Sequence, residues 1–513
     1  MRIKISSLNN ILLVLYLVSI ILPFIIALHS ISVGNIPFWY DPARDFLLGQ
    51  DNIKKLTLIG PTSGIPGIFY GPYWIWLISL GQLVSKDPRV VVFLILAIPY
   101  MVIFPFVLFR FKKIFGISTI IILWLYFSFS SGLYYSTNLW NPHLAPILFL
   151  TLTYLLVTTD MITNRANAFL NIISAGIIMG LILNLHISFG VAVLFSCVIF
   201  FIISAIEICL KKGSQLKGRL LNILTCFILF VFGVFIVFTP FFLFEIKHGF
   251  HQIQTAINVF TANGSVVSEN GLSDRDILIN FFRVISNLLS VPIKFAFILL
   301  TASVVYYMCI FLRYKKMMNT FELKLYLFLL ISGFCIAFLY LTSKNPVWSY
   351  HFIGVEIIFL LFLGLIAKRY VIVKILLLIL VLNLTYSHLL DFYKSYNERF
   401  FSSPVLITKE QIVNIIKVDG RGDKYSVFAY SPSIYTYEYT YLFNWLANRQ
   451  FSYDPKQIPA NEDIVYLIIP TVSSSISEDF INYRSSNDRY ITSKNWIMSD
   501  GTTIIKRERI IRK

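Results

Sequence analysis

Long apolar runs separated by short polar segments dominate the chain as far as about residue 390. Each is of the ~17 to 25 residues that crosses a bilayer as a helix. The pattern predicts spans near 10–28, 90–109, 115–133, 143–159, 167–185, 188–209, 220–244, 295–312, 325–342, 350–367 and 370–388, eleven in all. A shorter apolar stretch, 72–85, carries Tyr73, Trp74 and Trp76, rings that suit the boundary between water and lipid, and is expected to lie in the interface. After Leu390 the pattern changes to short alternating elements. Helices are expected at 407–417 and 435–448, and strands at 424–430 and 463–470, with a hairpin whose arms 490–498 and 502–508 flank Ser499-Asp500-Gly501. The chain therefore divides into a transmembrane region, 1–390, and an α/β accessory domain, 391–513, with outer loops at 29–71 and 245–294.

Composition agrees with this pattern. Hydrophobic residues make up 57% of the 513 positions and charged ones 13%, about half of what soluble domains carry. The net charge of +17 would suit a nucleic-acid binder, but its distribution does not. With the N-terminus inside, the inner segments hold 17 basic residues against three acids, whereas the tail after residue 390 holds 16 and 14. That bias orients a membrane protein with a cytoplasmic N-terminus and places the C-terminal domain outside the cytoplasm. It excludes a nucleic-acid partner and implies membrane lipids as surroundings. The first apolar run exceeds the usual length of a cleaved signal and reads as an anchor. All five cysteines fall within or at the ends of spans, so none implies a disulfide.

Candidate chemistry collects on the outer side. All seven histidines, including His143 and His186, sit in outer loops or at outer span ends. The loop 29–71 is long, rich in turn formers and interleaved with aromatics, the character of a functional loop. Within it Asp41 and Asp45 lie four apart; with Pro42 as the first residue of a short helix, Asp41 would stand at its N-cap. Capping alone is one reading of Asp41 and catalysis the other. Glu356 is the one charged residue placed clearly inside a span, about six residues below its outer end. A carboxylate there is either functional or paired with an outer cation such as Lys344. No ligand spacing for a metal appears: His248 and His251 lie three apart but lack a third ligand nearby in sequence.

The order of five motifs resembles a known family. WYDPARD, IGPTSGIPGIFYGPYWIWL, NLWNPHLAP, LNLHIS and TPFFLFEIKHGF follow one another, over roughly residues 1–390, as in the GT-C superfamily of membrane glycosyltransferases. The nearest branch is the protein O-mannosyltransferase and lipid A aminoarabinose transferase group. The resemblance implies an enzyme that moves a sugar from a polyprenyl-phosphate carrier to a lipid, glycan or protein acceptor outside the cytoplasm. Asp41 matches the family's catalytic acid of the first outer loop. Asp45 stands where many members carry an aromatic residue. Where some members have a Glu-Lys-Pro-Pro motif this chain has Phe69, Tyr70, Gly71 and Pro72, which makes Tyr70 a pocket candidate. His186 and Glu245 match recurring positions at the outer ends of two spans. The superfamily varies in metal dependence, so no cofactor is implied and a divalent cation is left open.

This chemistry has a physical logic. A carboxylate within hydrogen-bond reach can take the proton of a weakly nucleophilic hydroxyl. The departing lipid phosphate needs a cation, and Arg44, Lys247, Arg275 and Arg283 are candidates or else solvated loop charges. The competing function is a transporter or flippase of lipid-linked saccharides. Transporters tend to show internal repeats and broken helices near the midplane, and neither is evident here.

Overall fold

The computed structural model describes residues 5–63, 67–128, 130–161, 166–210, 216–261, 320–342, 347–398, 405–421, 424–431, 435–447 and 462–510, together with the isolated positions 279, 283, 294, 301 and 305. The first part is helical throughout: α1 (Ile5–Ser32), α2 (Tyr40–Lys54), α3 (Tyr73–Val84), α4 (Pro88–Arg110), α5 (Ser118–Ser128), α6 (Ser130–Thr137), α7 (Asn141–Thr158), α8 (Ala166–Leu185), α9 (Ile187–Leu210), α10 (Leu216–Lys247), α11 (His251–Thr261), α12 (Thr320–Thr342), α13 (Val355–Arg369) and α14 (Val371–Glu398). Among the described residues six helices (α4, α7, α8, α9, α10 and α12) are both long and apolar enough to cross a membrane. The protein is thus a polytopic helical membrane protein. Apart from positions 301 and 305, the expected span 295–312 lies outside the described residues, as do Arg275 and Lys344.

Local sequence accounts for the irregularities. α4 contains two stretches of wider π-helical winding, Phe93–Ala97 and Pro99–Ile103. Pro99 supplies no amide hydrogen and its ring crowds the preceding turn, which favours such a widening. α8 and α10 approach closely because Gly176 faces Gly233; a Cβ on Gly176 would overlap the carbonyl of Phe230, and one on Gly180 would press on Val237. Small residues four apart let helix backbones touch in lipid, where packing drives association. At the opposite end of the bundle Glu322, in the first turn of α12, pairs with Lys368 and Arg369 of α13. On α14 Ile372, Ile375, Leu376 and Ile379 stay exposed, a face suited to lipid.

The C-terminal part comprises α15 (Leu406–Asp419), β1 (Tyr425–Ala429), α16 (Tyr437–Leu446), β2 (Ile464–Ile469), α17 (Ser474–Arg484), β3 (Tyr490–Ile497) and β4 (Thr503–Arg509). The sheet order is β1-β2-β4-β3; β1 and β2 are parallel and the other pairs antiparallel. The β3–β4 turn has Gly501 at φ 82°, the left-handed geometry that favours Gly in an Asp-Gly hairpin. Alternation explains the apolar run of β2. Tyr466 and Ile468 join the large core shared with α15 and α16, while Val465, Leu467 and Ile469 join a second core that packs Phe480 and Ile481 of α17. Both faces are covered, so the strand is apolar at every position. α17 was not expected from the sequence, because SSISEDFINYR is polar and buries only Arg484 completely.

This α/β unit is docked on the first loop. Leu406 N donates to Ile36 O (3.0 Å) and Ile407 N to Gly34 O (3.1 Å), extending the loop by a short bridge. Arg89 grips Glu410 with both terminal nitrogens, and the Tyr441 hydroxyl donates to Lys86 O. Phe38 and Phe46 pack on the Tyr441 ring.

Candidate active site

The site is built on α2, whose helical period separates a buried face from a chemical one. Pro42, Ala43, Asp45, Phe46, Gly49 and Asn52 are buried. Gly49 admits Gln82 of α3 so closely that a Cβ would clash; Gln82 Nε2 donates to Phe46 O (2.9 Å) and Asn52 Nδ2 to Ser79 Oγ (2.8 Å). α3, the expected interfacial helix, therefore serves as the bed of α2. The expected N-cap role of Asp41 is corrected: α2 begins at Tyr40, its N-cap is Trp39, and Asp41 lies inside the first turn. Helix start signals resolve only to a residue or two, and the Ala43 N to Trp39 O bond (3.1 Å) closes the first turn earlier than Pro42 suggests.

Asp41 turns instead to Arg44. The guanidinium lies between both aspartates, with Nη1 at 2.8 Å from Asp41 Oδ1, Nη2 at 2.8 Å from Asp45 Oδ1 and Nε donating to that same Asp45 oxygen at 2.9 Å. The second oxygen of Asp45 accepts from Trp74 Nε1 at 2.8 Å. Asp45 is completely buried, whereas the Asp41 side chain remains 22% exposed. Burial pushes the Asp45 carboxyl up to about 6 against the pull of Arg44 and Trp74, with the Asp41 charge adding to the rise. Burial also raises Asp41, again opposed by Arg44. Asp45 thus anchors Arg44 from the buried side, and Asp41 is the carboxylate of the pair that stays partly open to solvent.

Aromatic rings wall this pair. Trp39 packs edge-on to Trp140 (5.5 Å between centroids), and Trp140 meets Tyr350 (5.3 Å) and His143 (5.5 Å). Tyr350 continues to His351 (4.3 Å), which faces His186 at 6.4 Å. Tyr350 lies near enough to Asp41 for their charges to interact. Tyr70 is raised by burial first, then by Tyr350, with Arg44 opposing and the two aspartates adding, which places its hydroxyl in the same cluster. His186 is buried, and its Nε2 has no hydrogen-bond partner among the described residues. His143 Nδ1 is 2.7 Å from Asn138 O.

The structure brings Asp41, Arg44, Asp45 and Tyr70 together and sets His143 and His186 on the surrounding wall. It does not bring four other candidates into this cluster. Glu245 is buried at the end of α10, and its Oε2 accepts from Ile253 N (3.1 Å), tying α10 to α11. It supports the site at one remove, since Gln252 Oε1 of α11 accepts from Phe69 N (2.8 Å), next to Tyr70. Lys247 is exposed. Glu356 is not six residues into a helix: a turn over Ser349–Phe352 and a left-handed Gly354 (φ 106°) delay the start of α13. Its Oε2 accepts from Gly354 N at 2.8 Å, and Tyr100 and Tyr126 are its electrostatic neighbours. Arg283 is exposed. Sequence reasoning passed over Trp74, Trp140, Tyr350 and Tyr437 as site residues. The first two stand in motifs already quoted; nothing along the chain marks the others. Among the described residues no group of three or more His, Cys, Asp or Glu could hold a metal ion.

An apolar cavity of about 460 Å³ opens one helical turn from Trp74. Leu77 and Leu80 of α3, Ile95 and Pro99 of α4, and Leu144 and Ile147 of α7 are among its lining residues.

A bundle of membrane helices, a helical first loop that carries Asp41 and Asp45, and a C-terminal α/β unit define the class of fold expected from the resemblance. The fold is that of the lipid A aminoarabinose transferase ArnT. The apo crystal structure of ArnT from Cupriavidus metallidurans matches 98% of this chain and 98% of its own at 10% identity, with a TM-score of 0.57. The same protein bound to undecaprenyl phosphate matches 96% of this chain and 97% of its own, again at 10% identity, with a TM-score of 0.54. No protein-family profile and no curated protein matches the chain.

Proposed function

We propose that the protein is a glycosyltransferase that transfers a sugar from a polyprenyl-phosphate donor to an acceptor hydroxyl on the extracytoplasmic side of the membrane, with Asp41 as general base. The observation that carries this reading is a partly exposed carboxylate, held by a cation among aromatic rings, in a protein whose apolar cavity begins one helical turn along α3 from Trp74. A polyprenyl donor has just those needs: a phosphate at the interface and a long tail in an apolar channel. The cavity between α3, α4 and α7 receives the tail. ArnT, of the same fold, has been crystallised with undecaprenyl phosphate, which supports a polyprenyl partner here.

The acceptor oxygen attacks the anomeric carbon as its proton passes to Asp41, and the bond from that carbon to the phosphate oxygen breaks. The polyprenyl phosphate leaves with the bonding electrons, and Arg44, anchored by Asp45, stabilises the charge it carries away. Arg44 bridges two carboxylates in the resting site, so an arriving phosphate competes with Asp41 for Nη1 and frees that carboxylate to accept a proton. Asp41→Asn should lower transfer by roughly 100- to 10,000-fold, the contribution of a positioned base, while donor binding persists. Unchanged turnover in reconstituted membranes would overturn the assignment.

A further inference from the structure

The C-terminal unit sends one side chain into the site. α16 presents Tyr437, Tyr441 and Trp445 at four-residue intervals, which places them on one helix face. Tyr441 is locked against Phe38 and Phe46 (5.9 and 4.9 Å between centroids), and this fixes where Tyr437 falls. Tyr437 lies on Tyr40, the residue beside Asp41, at 4.9 Å, and within the electrostatic reach of Arg44. Tyr435 stacks on Tyr437 with centroids 5.4 Å apart and planes only 5° from parallel. Tyr435 is 43% exposed. From Asp41 and Arg44 outward the rings run Tyr40, Tyr437, Tyr435 to solvent.

We infer that Tyr435 and Tyr437 form an acceptor subsite that binds a saccharide by stacking on the C–H face of a sugar ring. The inference rests on the glycosyltransferase reading and narrows its acceptor to a carbohydrate. Two parallel, stacked tyrosines, the outer one partly exposed, suit the flat, weakly polar face of a pyranose: the Tyr435 ring supplies apolar contact, and Tyr437, whose hydroxyl is engaged with Tyr40, braces it from behind. A peptide acceptor would call instead for backbone hydrogen-bonding groups along a groove, and a lipid acceptor for an apolar channel. Among the described residues, what reaches solvent at the outer end of this ledge is the Tyr435 ring. Its position on the C-terminal α/β unit, clamped to α4 through Arg89 and Glu410, also makes that unit part of the site.

The test uses the full chain in lipid nanodiscs and saturation-transfer difference NMR, with methyl glucoside, methyl galactoside, methyl mannoside and a short serine- and threonine-containing peptide as probes. At least one glycoside should show transfer to its ring C–H protons. Tyr435→Ala, at an exposed position that folding does not need, should reduce that signal by roughly five-fold or more. Tyr437→Ala should do the same and Tyr437→Phe should retain the signal. The binding signal needs no turnover, so this result is read apart from the assignment of Asp41 as the base, which transfer by Asp41→Asn tests separately. Absence of any glycoside signal, an unchanged signal in Tyr435→Ala, or a tyrosine-dependent signal from the peptide alone would overturn the inference.

Discussion

Trp74→Phe tests the internal logic of the site with one lost hydrogen bond. The indole Nε1 donates to Asp45 Oδ2 at 2.8 Å, and Asp45 is completely buried. Phenylalanine keeps most of the apolar contact and removes only the donor. A hydrogen bond to a charged group contributes about 1.5–3 kcal/mol, and one pKa unit corresponds to about 1.36 kcal/mol, so the Asp45 carboxyl should rise by roughly one to two units. From about 6 in the native chain it then titrates near or above neutrality. Protonated Asp45 no longer anchors Arg44 by charge, and the cation proposed to stabilise the phosphate loosens. In a reconstituted transfer assay the acid limb of kcat/KM should move upward by that amount. The sign for stability follows from the same shift. The folded-state value lies above the ordinary 3.8, so between those two values the native state holds a proton that the unfolded chain has released, and stability falls as pH rises through that window. Trp74→Phe extends the window upward. An acid limb at the same pH in the variant and the native enzyme would refute the claim that Trp74 and Asp45 set the state of Arg44.

Two further perturbations probe the frame. Arg89→Ala removes both hydrogen bonds to the nearly buried Glu410 carboxylate and should cost about 1–3 kcal/mol, read as faster proteolytic cleavage in the α/β unit with little loss of the helical bundle; unaltered cleavage would mean that the Arg89–Glu410 pair does not hold the dock. Gly71→Ala puts a Cβ on top of Asn184 Oδ1 and should lower Tm by an amount equivalent to roughly 1–3 kcal/mol, with Asn184→Ala restoring part of it. Strictly additive losses in the double variant would show that the two residues do not meet.

Much of the fold was legible because lipid imposes a simple rule. Each membrane crossing must satisfy its own backbone, so helices announce themselves as long apolar runs, and α8, α9 and α10 begin and end within a few residues of expectation. The β3–β4 hairpin was equally local, since Asp500-Gly501 carries its turn geometry in two residues. α17 left no trace because a helix that buries little of itself has little apolar period to show. Glu356 was placed too deep because hydropathy does not register a left-handed Gly354.

The sequence by itself determined a polytopic helical chain with a small α/β end, and it singled out a first loop dense in acids and aromatics. These are properties of windows of neighbouring residues, where hydrophobicity and turn chemistry act. Tertiary structure alone decided that Asp41 and Asp45, four apart and alike in kind, differ in role. Helical rotation buries one beneath Trp74 and leaves the other open to the pocket. It alone decided that Tyr70, Tyr350 and Tyr437, far apart along the chain, surround the same Arg44 and Asp41. Burial and convergence are products of packing between distant segments, and no local pattern along the chain encodes them.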